Sequence, residues 1–173
     1  MSANPLILGF DTSGPYVGVA LFRNDDVVAA RYENMAKGQA EALMPMLSDV
    51  MAEADAAWSD LTALGVGIGP GNFTGIRISV AAARGLALSL GIPAVGVSVL
   101  EALAEGSDGP VLALRDAPRD CVYAQIIGQD AEPELLSICT TIQKYAGFDS
   151  LVLGNRAAEV ATALGARTGP AAY

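Results

Sequence analysis

The sequence contains no histidine, and this absence excludes several classes of enzyme. A Ser-His-Asp or Cys-His relay needs an imidazole as its general base, and a His-Glu-x-x-His zinc site needs two imidazole ligands. Cysteine is scarce too, because only Cys121 and Cys139 occur and their spacing fits neither a Cys-x-x-Cys site nor a disulfide framework. We therefore expect reduced, packed cysteines, no metal site and no catalytic relay of these kinds.

Charged residues are few, at 17%, and 10 Lys and Arg stand against 19 Asp and Glu, which gives a net charge of -9. The basic residues are scattered singly, whereas nucleic-acid binding needs them clustered. We therefore expect no direct binding of nucleic acid by this chain alone. With 52% hydrophobic residues the chain has enough apolar surface to form a globular core.

Signals for secretion or membrane insertion are weak. The first positive side chain is Arg23, so the basic start of a signal peptide is missing. The apolar stretch 76–90 contains Arg77 and Arg84 and is shorter than the roughly 20 residues that span a bilayer. We therefore expect a cytoplasmic protein that does not contact a membrane.

Apolar runs separated by turn residues predict an α/β protein with two lobes, 1–104 and 105–173, joined at a polar, glycine-rich segment. In the first lobe, strands are predicted at 6–10, 17–22, 27–31, 64–68 and 94–97, and helices at 43–54, at 76–90 and from the capping box at Ser98. In the second lobe, strands are predicted at 111–114, 122–127, 135–139 and 151–153, and a helix at 157–164. This order indicates mixed sheets flanked by helices.

The glycine-rich loop 69–75 is the strongest local signal. Its glycines allow backbone N–H groups to approach an anion closely, and a helix beginning just after Gly75 would add its dipole. However, the loop does not end in Lys followed by Ser or Thr, and Asn72 or Thr74 stands where a dinucleotide fingerprint needs its third glycine. Phosphate binding and a tight strand-to-helix turn therefore both remain open.

Two further features have alternative interpretations. The carboxylate and hydroxyls of 11–13, at the end of the first strand, suit either hydrated Mg²⁺ and phosphate or a local Asx or Ser/Thr turn. The helices at 43–54 and 76–90 carry more apolar surface than one core face needs, with Met44 off the main stripe of the first. Core packing explains one face of each helix, and a partner interface would explain the surplus.

Together these motifs resemble the TsaB/YeaZ family, the non-catalytic partner in bacterial threonylcarbamoyladenosine tRNA modification. The resemblance is carried by Gly-Pro-Gly-Asn-Phe-Thr-Gly-Ile-Arg at 69–77, by Asp-Thr-Ser at 11–13, and by 85–87 and 92–93. It implies an actin-like ATPase (ribonuclease H-like) fold of two lobes, each a mixed sheet with helices, with the second lobe abbreviated. It also implies that the loop and the Asp-Thr-Ser turn are a remnant nucleotide or phosphate site: Asp11, Thr12, Ser13, Gly69, Gly71, Asn72, Thr74 and Gly75.

By the same resemblance the chain is a scaffold that docks on a TsaD-type catalytic sister, with a TsaE-type ATPase and, indirectly, tRNA in the assembly. Without the sister we expect a homodimer, because self-complementary pairing would bury the surplus apolar surface of the helices. No catalytic or metal residue is implied, since Val99 and Leu103 stand where the sister has its metal-binding histidines. No firmly bound cofactor is implied, and ATP or ADP with Mg²⁺ binds only weakly or in the complex. The implied interface comprises Leu43, Met44, Leu47, Met51, Ile76, Val80, Ala82, Ala83 and Leu86.

Two other functions compete with the scaffold. A small actin-fold ATPase or phosphotransferase would use Asp11 as metal ligand or base. A peptidase, an old label for this superfamily, is excluded because the chain has neither a histidine base nor a zinc site.

Overall fold

The computed structural model describes residues 4–169. These residues fold into two compact units, the first ending at Val97 and the second beginning at Ser98. The strands of the first unit are β1 (Leu6–Asp11), β2 (Tyr16–Arg23), β3 (Asp26–Asn34), β4 (Ala63–Gly67) and β5 (Ala94–Val97). Its helices are α1 (Gln39–Glu53) and α2 (Phe73–Leu90), with a 3-10 turn at Trp58–Asp60.

The sheet of the first unit is mixed, with strand order β3-β2-β1-β4-β5. The strands β1, β2 and β3 are antiparallel neighbours, whereas β4 runs parallel to β1 and β5 parallel to β4. Side chains alternate between the faces of a strand, so Leu8 and Leu64 lie on one buried face. Leu43 and Leu47 of α1 and Ala83 of α2 pack into the same core.

The second unit repeats this layout around its own core. Its elements are α3 (Val99–Ala104), β6 (Val111–Ala117), β7 (Cys121–Ile127), β8 (Glu134–Ser137), α4 (Ile138–Lys144), β9 (Leu151–Gly154), α5 (Ala157–Leu164) and β10 (Arg167–Thr168). The strand order is β10-β9-β6-β7-β8, with β6, β9 and β10 parallel and β6, β7 and β8 antiparallel. Leu112, Leu114, Val152 and Val160 are fully buried between this sheet and its helices.

Several boundaries differ from the sequence prediction, and three of the differences have a clear local cause. The helix α2 begins at Phe73, before Gly75, because Asn72 caps it through a side-chain oxygen that accepts from the Gly75 amide. The unit boundary lies before the one expected after residue 104, because α3 packs Leu100 and Leu103 against Ala113 of β6. Residues 138 and 139 are helical rather than extended, because Ser137 caps α4.

A pair of leucine substitutions tests the placement of the first core. We expect Leu64→Ala, at a fully buried side chain, to lower the free energy of unfolding by about 2–5 kcal/mol, through lost contacts and a residual cavity. Leu88→Ala, at a side chain that is 87% exposed, should change it by less than about 0.5 kcal/mol. Urea unfolding followed by circular dichroism measures both, and equal losses would contradict this placement of the core.

Candidate functional site

The predicted site residues lie at one edge of the first sheet. The strands β1 and β4 are parallel neighbours, with Phe10 opposite Val66. Their carboxyl ends therefore meet at the same edge, and the turn 11–13 lies beside the loop 69–75. This edge is where a parallel α/β sheet places its ligand-binding loops.

The Asp11 carboxylate accepts three hydrogen bonds from its own surroundings. One oxygen accepts from the Ser13 amide at 2.9 Å. The other accepts from the Ser13 hydroxyl at 2.8 Å and from the Tyr16 hydroxyl at 2.5 Å. The carboxylate also lies directly on Gly67, where a Cβ atom would overlap it. The turn interpretation of this motif is therefore realised in the structure.

Two hydrogen bonds join the turn 11–13 to the loop 69–75, one donated by the turn and one donated by the loop. The Thr12 hydroxyl donates to the Gly75 carbonyl at 2.6 Å. The Asn72 amide donates to the Ser13 carbonyl at 2.7 Å. Thr12 is 0% and Ser13 1% exposed to solvent, so these hydrogen bonds form away from competing water.

Two glycines make this close contact possible. A Cβ atom on Gly71 would overlap the Ser13 carbonyl oxygen, and one on Gly75 would overlap the Thr12 carbonyl oxygen. Gly69 has φ +84°, in the region that favours glycine, and Thr74 is exposed. The structure thus brings all the predicted remnant-site residues to one edge, and six of them contact one another directly: Asp11, Thr12, Ser13, Gly71, Asn72 and Gly75.

The sequence analysis missed two residues of this edge. Tyr16 begins β2 and bonds Asp11, and its ring packs against that of Tyr32 with centroids 5.0 Å apart. Ser79 is fully buried, and its hydroxyl contacts the Gly67 carbonyl at 3.2 Å, which holds α2 against β4. A small polar residue on the inner face of a predicted helix was the available signal for Ser79. No sequence signal pointed to Tyr16.

The helix α2 exposes an apolar and cationic stripe on the side away from the sheet. Phe73, Arg77, Ala81, Arg84 and Leu88 recur at helical spacing and are all exposed. The Arg77 guanidinium lies 5.4 Å from the centre of the Phe73 ring. We call these five residues the α2 stripe. Among residues 4–169, neither of its arginines takes part in an ion pair.

Several of the predicted interface residues face inward instead. Leu43, Leu47, Met51 and Ala83 are buried in the first core, so they are not available to a partner. The i, i+3, i+4 periodicity of α1 identified the face that packs on the sheet. Met44 is exposed as expected. The remaining predicted residues are partly buried: Ile76, Val80, Ala82 and Leu86.

By length and composition alone, α2 would also be long and apolar enough to cross a membrane. The same test is passed by core helices of soluble proteins. Here Ser79 and Ala83 of α2 are buried against the sheet, and Arg77 and Arg84 lie in its exposed face.

Sequence comparisons connect this geometry to known proteins. Residues 31–160 match the family model described as TsaD: tRNA N6-adenosine threonylcarbamoyltransferase. The tRNA threonylcarbamoyladenosine biosynthesis protein TsaB of Escherichia coli (strain K12) is 39% identical over 122 residues, 68% of this chain and 52% of that protein. Its Bacillus subtilis (strain 168) counterpart is 40% identical over 120 residues, with the same coverage.

The chain belongs to the TsaB/YeaZ branch of this family. It spans about half the length of the curated TsaB proteins it matches.

Solved structures agree with the TsaB/YeaZ assignment. YeaZ from Pseudomonas aeruginosa superimposes with a TM-score of 0.66 at 35% identity, over 77% of this chain and 65% of that one. A protein described as similar to peptidase YEAZ from the same species gives a TM-score of 0.76 at 27% identity, over 97% and 85%. The ethanolamine utilization protein EutJ from Carboxydothermus hydrogenoformans, at 13% identity and a TM-score of 0.55, shares the fold alone. The predicted actin-like fold class, with two mixed sheets and helices, is confirmed.

In the second unit of this TsaB/YeaZ chain, an ion-pair network holds the β6–β7 turn. The Arg156 guanidinium contacts Glu159 at 2.6 Å and Asp120 at 2.9 Å. These hydrogen bonds raise the pKa of Arg156 above its usual value. Leu103 is buried in a hydrophobic cluster of this unit with Leu100 and Ala113.

Two glycines of α2 provide a matched test of the close contact at the site. We expect Gly75→Ala to lower the free energy of unfolding by about 1–3 kcal/mol, because the new methyl group overlaps the Thr12 carbonyl. A methyl group on Gly85 would meet no other atom within 4 Å, so Gly85→Ala should raise stability by about 0.5–1 kcal/mol through helix propensity. Urea denaturation distinguishes the two, and stabilisation by both substitutions would contradict the contact.

Proposed function

We propose that the protein is a non-catalytic scaffold or activator subunit in tRNA threonylcarbamoyladenosine biosynthesis, and that it docks on a TsaD-type sister protein through α1 and α2. The names of its TsaB relatives support a role of the family in this biosynthesis. The observation that supports the docking role is the α2 stripe, in which Phe73 is 71% and Leu88 87% exposed. Large apolar side chains exposed together on one helix face mark interaction surfaces.

The chemistry of the chain fits a scaffold better than a catalyst. There is no histidine to act as a general base near neutral pH. Asp11, the carboxylate that a phosphotransferase would use, already accepts from Ser13 and Tyr16. The threonylcarbamoyl transfer would therefore occur on the sister protein, and this chain would supply binding surface.

The charges of the two helices suggest what the partner presents. On α1, Asp49 and Glu53 are paired with Arg31 of β3. On α2, Arg77 and Arg84 are exposed without an ion-pair partner among the residues that the structure describes. We therefore expect the docking surface of the sister to carry carboxylates opposite these arginines and an apolar pocket for Leu88, since complementary charge fixes the register of an interface.

The remaining parts of the assembly follow from the same proposal. A TsaE-type ATPase joins the pair, and tRNA is engaged indirectly, because this chain is acidic and its basic residues are scattered. The product is threonylcarbamoyladenosine beside the anticodon of tRNAs that read codons beginning with A. Without the sister, the same helices form a homodimer, since self-complementary pairing buries the exposed stripe. The assembly acts in the cytoplasm.

Charge introduced into the α2 stripe tests the docking role. We expect Leu88→Glu to weaken binding to the TsaD-type sister of the same organism by at least about tenfold, because a carboxylate would be buried in an apolar contact. The matched control is Leu135→Glu, which changes an exposed leucine on β8 of the second unit. Isothermal titration calorimetry and size-exclusion co-elution measure the effect, with circular dichroism to establish that both variants are folded.

Two results would contradict this function. One is the absence of a complex between the wild-type protein and the sister at micromolar concentration. The other is Mg²⁺-dependent ATP turnover by the isolated chain that is lost in Asp11→Asn. The second result would establish the alternative function of a small actin-fold ATPase or phosphotransferase.

A further inference from the structure

The actin-like fold implies a magnesium-nucleotide site at the turn 11–13 and the loop 69–75, and the residues here do not fit one. A carboxylate that holds hydrated Mg²⁺ needs oxygen lone pairs directed at the ion's water shell. Three of the roughly four acceptor sites of the Asp11 carboxylate already take hydrogen bonds from within the turn or from Tyr16. Among residues 4–169, no three carboxylate or thiol side chains converge as a metal-binding group.

The loop is also unsuited to a phosphate group. A phosphate cradle presents several backbone N–H groups towards an empty space. Here the space against Gly71 and Gly75 is filled by the carbonyl oxygens of Ser13 and Thr12, which would repel an anion. The Gly75 backbone N–H donates to the Asn72 side-chain oxygen at 2.9 Å, and the Asn72 backbone N–H donates to the Ser13 carbonyl.

We propose that these residues form a mechanical clasp that sets the position of α2, and that the isolated chain takes no magnesium nucleotide there. The clasp comprises Asp11, Thr12, Ser13, Asn72 and Gly75. It joins the end of β1, in the centre of the sheet, to the first turn of α2. The proposal rests on the proposed function for the role of α2 in docking, and the turn and loop contacts stand independently of it.

Helix geometry explains why such a clasp matters for docking. Leu88 lies 13 positions beyond Gly75, so the two are about 20 Å apart along the helix axis at about 1.5 Å per residue. A tilt of about 5° at the first turn would therefore move Leu88 by about 1.7 Å. Interfaces pack as closely as protein interiors, so a shift of that size removes complementarity at the far end of the stripe. Thr12 is thus a positioning residue that acts through α2.

Two threonines of the same unit provide a matched pair of variants. Thr12→Val removes the hydroxyl that donates to the Gly75 carbonyl at 2.6 Å. Thr62→Val removes a hydroxyl that donates to the Leu6 carbonyl at 3.0 Å, at the opposite end of β1. Both lose one hydroxyl-to-carbonyl hydrogen bond and keep the side-chain shape. Thr12→Ser keeps the hydroxyl and serves as the conservative rescue.

The first measurement is amide hydrogen exchange of residues 75–79 in the isolated chain. We expect exchange about tenfold or more faster in Thr12→Val than in Thr62→Val, and near wild-type rates in Thr12→Ser. The second measurement is affinity for the TsaD-type sister, which we expect to fall about tenfold in Thr12→Val only. If Thr12→Val fails to fold, Gly75→Ala replaces it, because its methyl group would overlap the Thr12 carbonyl, with Gly85→Ala as its control.

The third measurement is the melting temperature of the wild-type chain with millimolar MgATP or MgADP, which we expect to be unchanged, since a bound ligand would raise it. Equal exchange and affinity in the two valine variants, or a rise in melting temperature with either nucleotide, would overturn the clasp. If the wild-type chain does not bind the sister, the proposed function fails, and exchange and melting still decide whether the clasp exists.

Discussion

The close approach of the β1 end to the first turn of α2 is the contact on which the first unit depends. It requires a hydroxyl at Thr12 and no side chain at Gly71 or Gly75. Buried hydrogen bonds of this kind gain strength in a low-dielectric interior and are costly to leave unmade. The contact therefore fixes one end of a helix that is otherwise held by packing on the sheet.

The sequence predicted most of the fold because its periodicities are clear. The apolar runs located nine of the strands approximately, and the capping box at Ser98 placed the start of α3. It failed where one side chain decides a boundary. Asn72 starts α2 before Gly75, although a glycine after a loop suggests that the helix has not yet begun. The two-residue strand β10 is too short to give a pattern.

The candidate site at 11–13 and 69–75 remains a prediction, and its chemistry depends on contacts that no periodicity reveals. The sequence left both phosphate binding and a turn open at Asp11, and the hydrogen bond from Tyr16 shows how the carboxylate is satisfied. For the interface, helical spacing found the residues that face the sheet, such as Leu47. Phe73 and Leu88, on the opposite side, carry no comparable sequence signal because the charged residues Arg77 and Arg84 lie between them and interrupt the apolar pattern.

The clasp also determines which positions of this sequence tolerate substitution during evolution. Its bonds run between backbone groups and small side chains, so it fixes the size and the hydrogen-bonding groups of a handful of positions. Substitutions on the exposed side of α2 alter a surface without disturbing the core beneath it, as the open space around Gly85 illustrates. Substitutions on this exposed surface can therefore change which partner the protein recognises while its fold stays the same.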